Sequence, residues 1–347
     1  MKNGLPIRLL ALAAALTCIL CLFAGCGADT VVLENGQTND NVENAGADRD
    51  AQTADNTQNN DTQSGDGAQG NDGAQGGAKV PSVGLAYEVG EDGVSCTVTG
   101  MGTCTDTALV IPEQMDGYAV TGIGSEAFLN CTELVSVTIL NGATKISNRA
   151  FSGCTGLTTV TIPDSVTSIG NSVFSGCSSL VSMTIPFVGD RSGVTIFDRY
   201  QYPFGYFFGT RRYEGGTETT QYYYGGTSST APTTYFVPAT LRSVTVTGGN
   251  ILFGAFSACV NLTSITICGD LTNIGGTAFY QCAGLTSVTL PGSVTGIDHN
   301  AFDGCTSLKS ITFGGTKVQW GTVRKDAGWN ANTGKYTVHC TNGDVSK

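Results

Sequence analysis

The sequence predicts a mainly β fold with short helical turns, a solenoid of 23-residue coils closed by a cap at each end. Two observations carry this. Phenylalanine recurs at Phe128, Phe151, Phe174, Phe256, Phe279 and Phe302, in steps of 23, 23, 82, 23 and 23. Alternating runs accompany the same period: VSVTI, TTVTI, VSMTI, RSVTV, TSITI, TSVTL and KSITF. A fixed period of this length marks stacked structural repeats. Alternation of apolar with polar β-branched residues marks strands buried on one face.

Each unit can be followed along the chain. The strand comes first, with inward pairs Val137 and Ile139, Val160 and Ile162, Met183 and Ile185, and so on to Ile311 and Phe313. Pro112, Pro163, Pro186 and Pro291 close several strands, where a missing N–H does least harm. A second segment then carries Ile123, Ile146, Ile169, Ile251, Ile274 or Ile297, each five residues before its Phe. A short helical turn holds the Phe. Cys131, Cys154, Cys177, Cys259, Cys282 and Cys305 come three residues after it, and Leu134, Leu157, Leu180, Leu262, Leu285 and Leu308 three further on. One such coil cannot bury its apolar face alone, so the coils must stack and be capped.

Units such as LTTVTIPDSVTSIGNSVFSGC, residues 157 to 177, resemble the BspA-type leucine-rich repeat of bacterial surface proteins. The likeness spans roughly residues 85 to 343 and rests on the period, the IP after the strand, the IG before the helical turn and the AFxxC. YEVGEDGVSCTVTGMGTCTDTALVIP resembles the N-terminal β unit of that family. The run from FGGTKVQWGTVRKDAGWN to YTVHCTNG resembles its terminal cap, with Trp320 and Trp329 placed to cover the end of the core. The resemblance implies a right-handed leucine-rich-repeat solenoid, an extracellular location, and binding of host matrix proteins or other cells. Fold transfers across such a family better than partner does.

The N-terminus sets the expected address. Lys2 and Arg8 precede LLALAAALTCILCLF, whose 15 residues are short for a membrane span and suit a signal-peptide core. Ala24-Gly25-Cys26 resembles a bacterial lipoprotein cleavage box, with Phe23 where Leu is usual. That resemblance implies a lipidated Cys26 and stable anchoring by its acyl chains; an uncleaved signal anchor or simple secretion are the alternatives. Residues 27–80 are rich in Asn, Asp, Gln, Gly and Thr and hold ten acids against Arg49 and Lys79, a charge of −8. Such a composition is expected to be disordered, a tether with a root-mean-square span of roughly 40 Å. Nucleic acid is excluded as a partner by the acidic balance, −11 over the whole chain. The expected division is 1–26 leader, 27–80 tether, 81–118 N-terminal β cap, 119–186 repeats, 187–240 aromatic-rich insertion or degenerate repeat, 241–313 repeats and 314–347 C-terminal cap.

Of the 13 cysteines, Cys18, Cys21 and Cys26 belong to the leader, and the six motif cysteines form a column along the solenoid. At the strand spacing of about 5 Å, a reduced core ladder, an occasional disulfide and a metal site are the alternatives. Small buried side chains with a weak S–H donor fit best, since stacked thiols point in parallel and no CxxC or His pair supplies convergent ligands. Cys96 and Cys104 flank TVTGMGT and are a candidate disulfide between two strands. Cys268 replaces the proline of neighbouring coils, and Cys340 ends a cap strand.

No enzyme, cofactor or metal is expected. His299 and His339 lie in unrelated contexts, and GxSxG, P-loop and HExxH motifs are absent. His339 and Cys340 are strand neighbours that face opposite ways, and Asp164, Asp298 and Asp303 read as solvated loop carboxylates.

Two surfaces are candidates for binding. One is the outward strand face, where Thr138, Thr161, Thr184, Thr245, Thr266, Thr289 and Thr312 form a row beside Ser136, Thr159, Ser182, Ser243, Ser264, Ser287 and Ser310. A solvated strand face is the plain reading, because Thr favours strands. The other is 187–240, which holds 14 of the 29 Phe, Tyr and Trp residues and so departs most from the repeat. Phe204, Phe207 and Phe208 in PFGYFFG are expected to continue the core as a degenerate coil. Arg211, Arg212, Tyr213, Tyr222, Tyr223 and Tyr224 are the expected contacts, being of the residue types that dominate hot spots. The expected function is a lipid-anchored cell-surface protein that recognises a host or neighbouring-cell protein, with a glycan ligand as the alternative.

Overall fold

A computed structural model describes residues 79–195, 201–223 and 231–347. The leader with Cys26, the acidic segment up to residue 78 and Tyr224 lie outside the described residues.

The chain winds into a mainly β solenoid with coils of about 23 residues and little helix. One face is a ten-stranded sheet of Ala108–Ile111, Ser136–Ile139, Thr159–Thr161, Ser182–Ile185, Ser243–Val246, Ser264–Ile267, Ser287–Leu290, Ser310–Phe313, Thr337–Cys340 and Gly343–Ser346, in chain order. All neighbours pair in parallel except the last two strands, which form a hairpin. The expected inward pairs are buried: Val137, Ile139, Val160, Ile162, Met183, Ile185 and their equivalents up to Ile311 and Phe313. Alternation forces this register, because a slip of one residue would turn every apolar side chain outward.

The isoleucine segments form shorter ladders. Tyr118–Ile123, Lys145–Ile146 and Ser168–Ile169 pair in series, as do Asn273–Ile274, Gly296–Ile297 and Arg324–Lys325. Between each such segment and the next strand, two residues in the left-handed region bracket the Phe. Glu126, Arg149, Ser172, Gly254, Thr277 and Asn300 stand two before it, and Asn130, Gly153, Gly176, Ala258, Gln281 and Gly304 two after, with φ between 53° and 80°. The chain thus reverses twice within five residues and drives the ring inward. Glycine relieves the steric cost at Gly153, Gly176 and Gly304, where a Cβ would clash with the following carbonyl.

Inside, the rings stack. Phe128 and Phe151 lie 5.0 Å apart and 4° from parallel, Phe151 and Phe174 are 5.7 Å apart, Phe256 and Phe279 5.6 Å, and Phe279 and Phe302 4.9 Å. The thiols form a ladder of their own. Cys154 donates to the carbonyl of Phe128 at 3.1 Å, Cys177 to Phe151 at 3.2 Å, Cys282 to Phe256 at 3.1 Å and Cys305 to Phe279 at 3.1 Å. Burial pushes the Cys154 and Cys305 thiols up to about 12, so they stay protonated and donate.

Each end is closed by distinct residues. Ala86–Val89 pairs antiparallel with Ser95–Gly100, which runs parallel to Tyr118–Ile123. Ser82 covers the edge strand Ala108–Ile111: its N–H donates to the Val110 carbonyl at 2.9 Å, and its Oγ accepts from the Val110 N–H at 3.0 Å. A capped edge of this kind cannot recruit a further strand. At the other end the helix Lys317–Thr322 starts on a capping box of Thr316 and Gln319. Trp320 packs on Phe313 at 5.2 Å and Trp329 on Phe302 at 6.0 Å, against the last coil. The candidate bridge between Cys96 and Cys104 is not formed. All ten described cysteines are free thiols; Cys96 leans on the Tyr118 carbonyl at 3.9 Å, whereas Cys104 lies in the turn that leads to the other sheet.

Candidate binding site on the expanded coil

Ser182 is in register with Ser243, so one coil takes 61 residues where the coil before it takes 23 and the coil after it 21. The sheet passes through this point without a break. Phe204, Phe207 and Phe208 are fully buried, and Phe204–Phe207 forms a 3-10 turn in place of the usual helical turn. The Phe174 N–H donates to the Phe207 carbonyl at 2.9 Å, and the Phe204 N–H to that of Ala255 at 2.8 Å. Phe204 also packs on Phe256 at 4.8 Å. The expanded coil thus bridges the two blocks, with the Phe207 backbone meeting Phe174 and the Phe204 ring meeting Phe256.

The surplus chain forms a hairpin, Gly216–Tyr223 against Ala231–Pro238. Its attachment rests on Gln221, whose side chain is fully buried. Gln221 Oε1 accepts from the Gly205 N–H at 2.7 Å, and Nε2 donates to the Ser257 carbonyl at 2.7 Å and to Cys259 Sγ at 3.5 Å. Cys259 opens the second stack, where no regular coil precedes it, and Gln221 is the partner it takes instead. The amide thereby satisfies polar groups on both sides of the break. Asn261 Nδ2 donates to Thr217 Oγ1 at 2.6 Å. Tyr235 lies so close to Gly205 that a Cβ there would sit 2.5 Å from the ring, which requires glycine.

Arg211, Arg212 and Tyr213 meet on one side of this coil. They line a groove of about 370 Å³ with Leu129, Asn130, Arg149, Ser152, Gly153, Ser175 and Gly176, all on helical turns of the first block. Arg211 and Arg212 are exposed, and neither has an ion pair or hydrogen bond among the described residues. Arg149 is paired with Glu126 at 2.6 Å. Tyr213 differs from expectation. Its hydroxyl donates to the Phe236 carbonyl at 2.9 Å, and burial raises its pKa well above the ordinary phenol value, so it clasps the hairpin root rather than offering a free polar tip.

Tyr222 stands on the hairpin, 40% exposed, and does not line the groove. Tyr223 pairs through its backbone with Ala231. The threonine row holds its register throughout, Thr138 to Thr161, Thr184, Thr245, Thr266, Thr289 and Thr312, then His339. Six of the seven are half-buried; Thr138 is buried and accepts from Lys79 Nζ at 2.5 Å. The row lies on strands and the groove on helical turns, so they are separate surfaces. Arg149, Asn130 and Gln221 were not legible as site residues, since two occupy repeat positions and the third reads as a surface residue between Thr220 and Tyr222.

The described residues hold no group of three potential metal ligands. His339 pairs with Asp344 at 2.9 Å, while His299 packs on Phe253 with ring centroids 6.3 Å apart.

The family model for the BspA type leucine rich repeat region matches residues 104–200 and 234–322, more than half of the chain. No curated protein matches it. Solved structures similar to it include a leucine-rich repeat protein of T. pallidum, at 23% identity over 68% of this chain and 86% of that one, with a TM-score of 0.34. A leucine-rich cell surface protein of Faecalibacterium prausnitzii is 20% identical over 72% of this chain and 98% of its own, with a TM-score of 0.21. The pneumococcal vaccine antigen PcpA is 15% identical over 73% of this chain and 87% of its own, also at 0.21. The period, the motif and the extent of the family match agree: this chain belongs to the BspA-type leucine-rich repeat family.

Proposed function

We propose that this protein is an exported recognition protein, held at the bacterial surface by acyl chains on Cys26, that adheres to a protein of a host or neighbouring cell through the groove at Arg211 and Arg212. Its role is binding without catalysis. The acidic segment before the repeats serves as the tether that lets the solenoid reach its partner. The observation that carries this reading is a pair of exposed guanidiniums, without a partner among the described residues, set beside a groove by a coil that Gln221 and Tyr213 lock down. Rigid placement matters because a backbone already held in position loses little entropy on binding. The threonine row would present a flat scaffold beside this contact. A glycan reading rests on the exposed Tyr222 ring, which can stack on a sugar.

Cells displaying the full chain, applied to immobilised matrix protein and to neighbouring cells, test the site. The R211E/R212E double variant is expected to lose most retention under flow. Undiminished retention at equal surface expression would refute the site, and retention lost only with Tyr222→Ala would favour the glycan reading. Cys26→Ala is expected to release the chain into the medium.

A further inference from the structure

Given that the groove is the adhesive contact of the proposed function, its lining residues specify the chemistry of the partner. The groove joins two parts of the chain that repeat arithmetic would never pair: Arg149 on a regular coil, and Arg211 and Arg212 on the expanded one. The folded residues around them belong to a chain of net charge −11, so three guanidiniums around one groove run against the overall balance. Arg149 already holds a carboxylate, that of Glu126, at 2.6 Å from an exposed position. The other two guanidiniums have no such partner among the described residues.

We infer that the groove takes an acidic peptide segment of the partner protein, whose Asp or Glu side chains pair with Arg211 and Arg212 as Glu126 pairs with Arg149. Guanidinium and carboxylate match in planar, two-pronged geometry. The lining suits a peptide, since the polar side chains of Asn130 and Ser175 can hydrogen-bond a main chain. A charged glycan fits less well. Among the described residues Tyr213 is the only aromatic lining the groove, and its ring lies against Gly216 with its hydroxyl bound to the Phe236 carbonyl, which leaves it poorly placed to stack on a sugar.

The test uses the full chain and three fluorescent probes: hexaglutamate, hexaglutamine and a sulfated oligosaccharide, read by anisotropy. Hexaglutamate is expected to bind, hexaglutamine not, and affinity to fall with added salt as exposed charges are screened. R211E/R212E should weaken hexaglutamate about tenfold or more, a change of the size two reversed contacts produce. Lys309→Glu, exposed on a distant coil, should leave it unchanged. Glu126→Gln, which frees Arg149, should tighten binding about two- to fivefold, the range of an exposed pair. Hexaglutamate that fails to bind, or binds R211E/R212E equally well, overturns the inference, as does groove-dependent binding of the sulfated probe alone. Adhesion lost in R211E/R212E without peptide binding would sink the acidic-peptide inference and leave the adhesive site standing. Peptide binding with adhesion intact would do the reverse.

Discussion

Around Phe151 and Phe279 the chain meets its structural needs by copying itself. The carbonyl of one Phe accepts the thiol of the next coil, each ring stacks on the same ring, and each strand finds its equal 23 residues on. Between Ser182 and Ser243 the chain cannot copy, and it meets the same needs with unrelated residues. Phe204, Phe207 and Phe208 supply the rings, the Gln221 amide faces the thiol, and the Tyr213 hydroxyl closes the hairpin root. Regular coils spread their stability over many equivalent contacts and leave nothing distinctive at the surface. The expanded coil concentrates its attachment in a few side chains, which frees Arg211 and Arg212 to face outward without a structural duty.

That contrast can be broken at several strengths. Phe279→Ala should cost about 3–5 kcal/mol, the usual loss when a large ring leaves a packed core. Phe207→Ala should cost as much if the expanded coil is truly part of the solenoid; a urea midpoint hardly moved by the second change would make it an appended loop. Gln221→Ala should cost about 1–3 kcal/mol, because it strands the buried Gly205 N–H and Ser257 carbonyl. Its effect should be local. Hydrogen exchange should quicken across 216–238 while the strand Ser264–Ile267 keeps its protection, and an unchanged hairpin would show that the amide is not its anchor.

Smaller effects separate the thiols from the surface. Cys154, Cys259 and Cys305 are pushed up to about 12 by burial, so the folded state favours their protonated form. Their contribution is fully present below the ordinary thiol pKa of about 8.5 and is lost as pH rises towards the folded values. The melting temperature should therefore be flat near neutrality with respect to these groups and fall in the alkaline range. A thiol reagent at neutral pH should reach the partly exposed Cys131 and Cys340 first and the ladder only on unfolding. Early labelling of Cys282 would contradict the ladder. Smallest of all, R211E/R212E should change stability by no more than about 0.5 kcal/mol, as surface changes without partners do.

Much of the fold could be read beforehand from spacing. The strands, their inward pairs, the cysteine column and the core role of PFGYFFG came from residues that recur or from a local gap in their recurrence, and the place of the tryptophans from the resemblance of the C-terminal run. The thiol partners did not, because each acceptor is a backbone carbonyl 26 residues earlier, and a carbonyl has no sequence signature. Tyr213 was legible as an interface type but not as a clasp, since the Phe236 carbonyl that takes its proton lies across the hairpin. The groove was half legible: Arg211 and Arg212 stood out by composition, whereas Arg149 stood at an ordinary coil position.

By itself the sequence determined the solenoid, because a side-chain pattern repeated at a constant interval has one stacking that buries every apolar residue at once. The tertiary structure decided what the irregular coil does. Gln221, Ser257, Arg149 and Arg212 meet across separations that follow no period, and such contacts depend on where the surrounding coils place the chain rather than on any pattern within it.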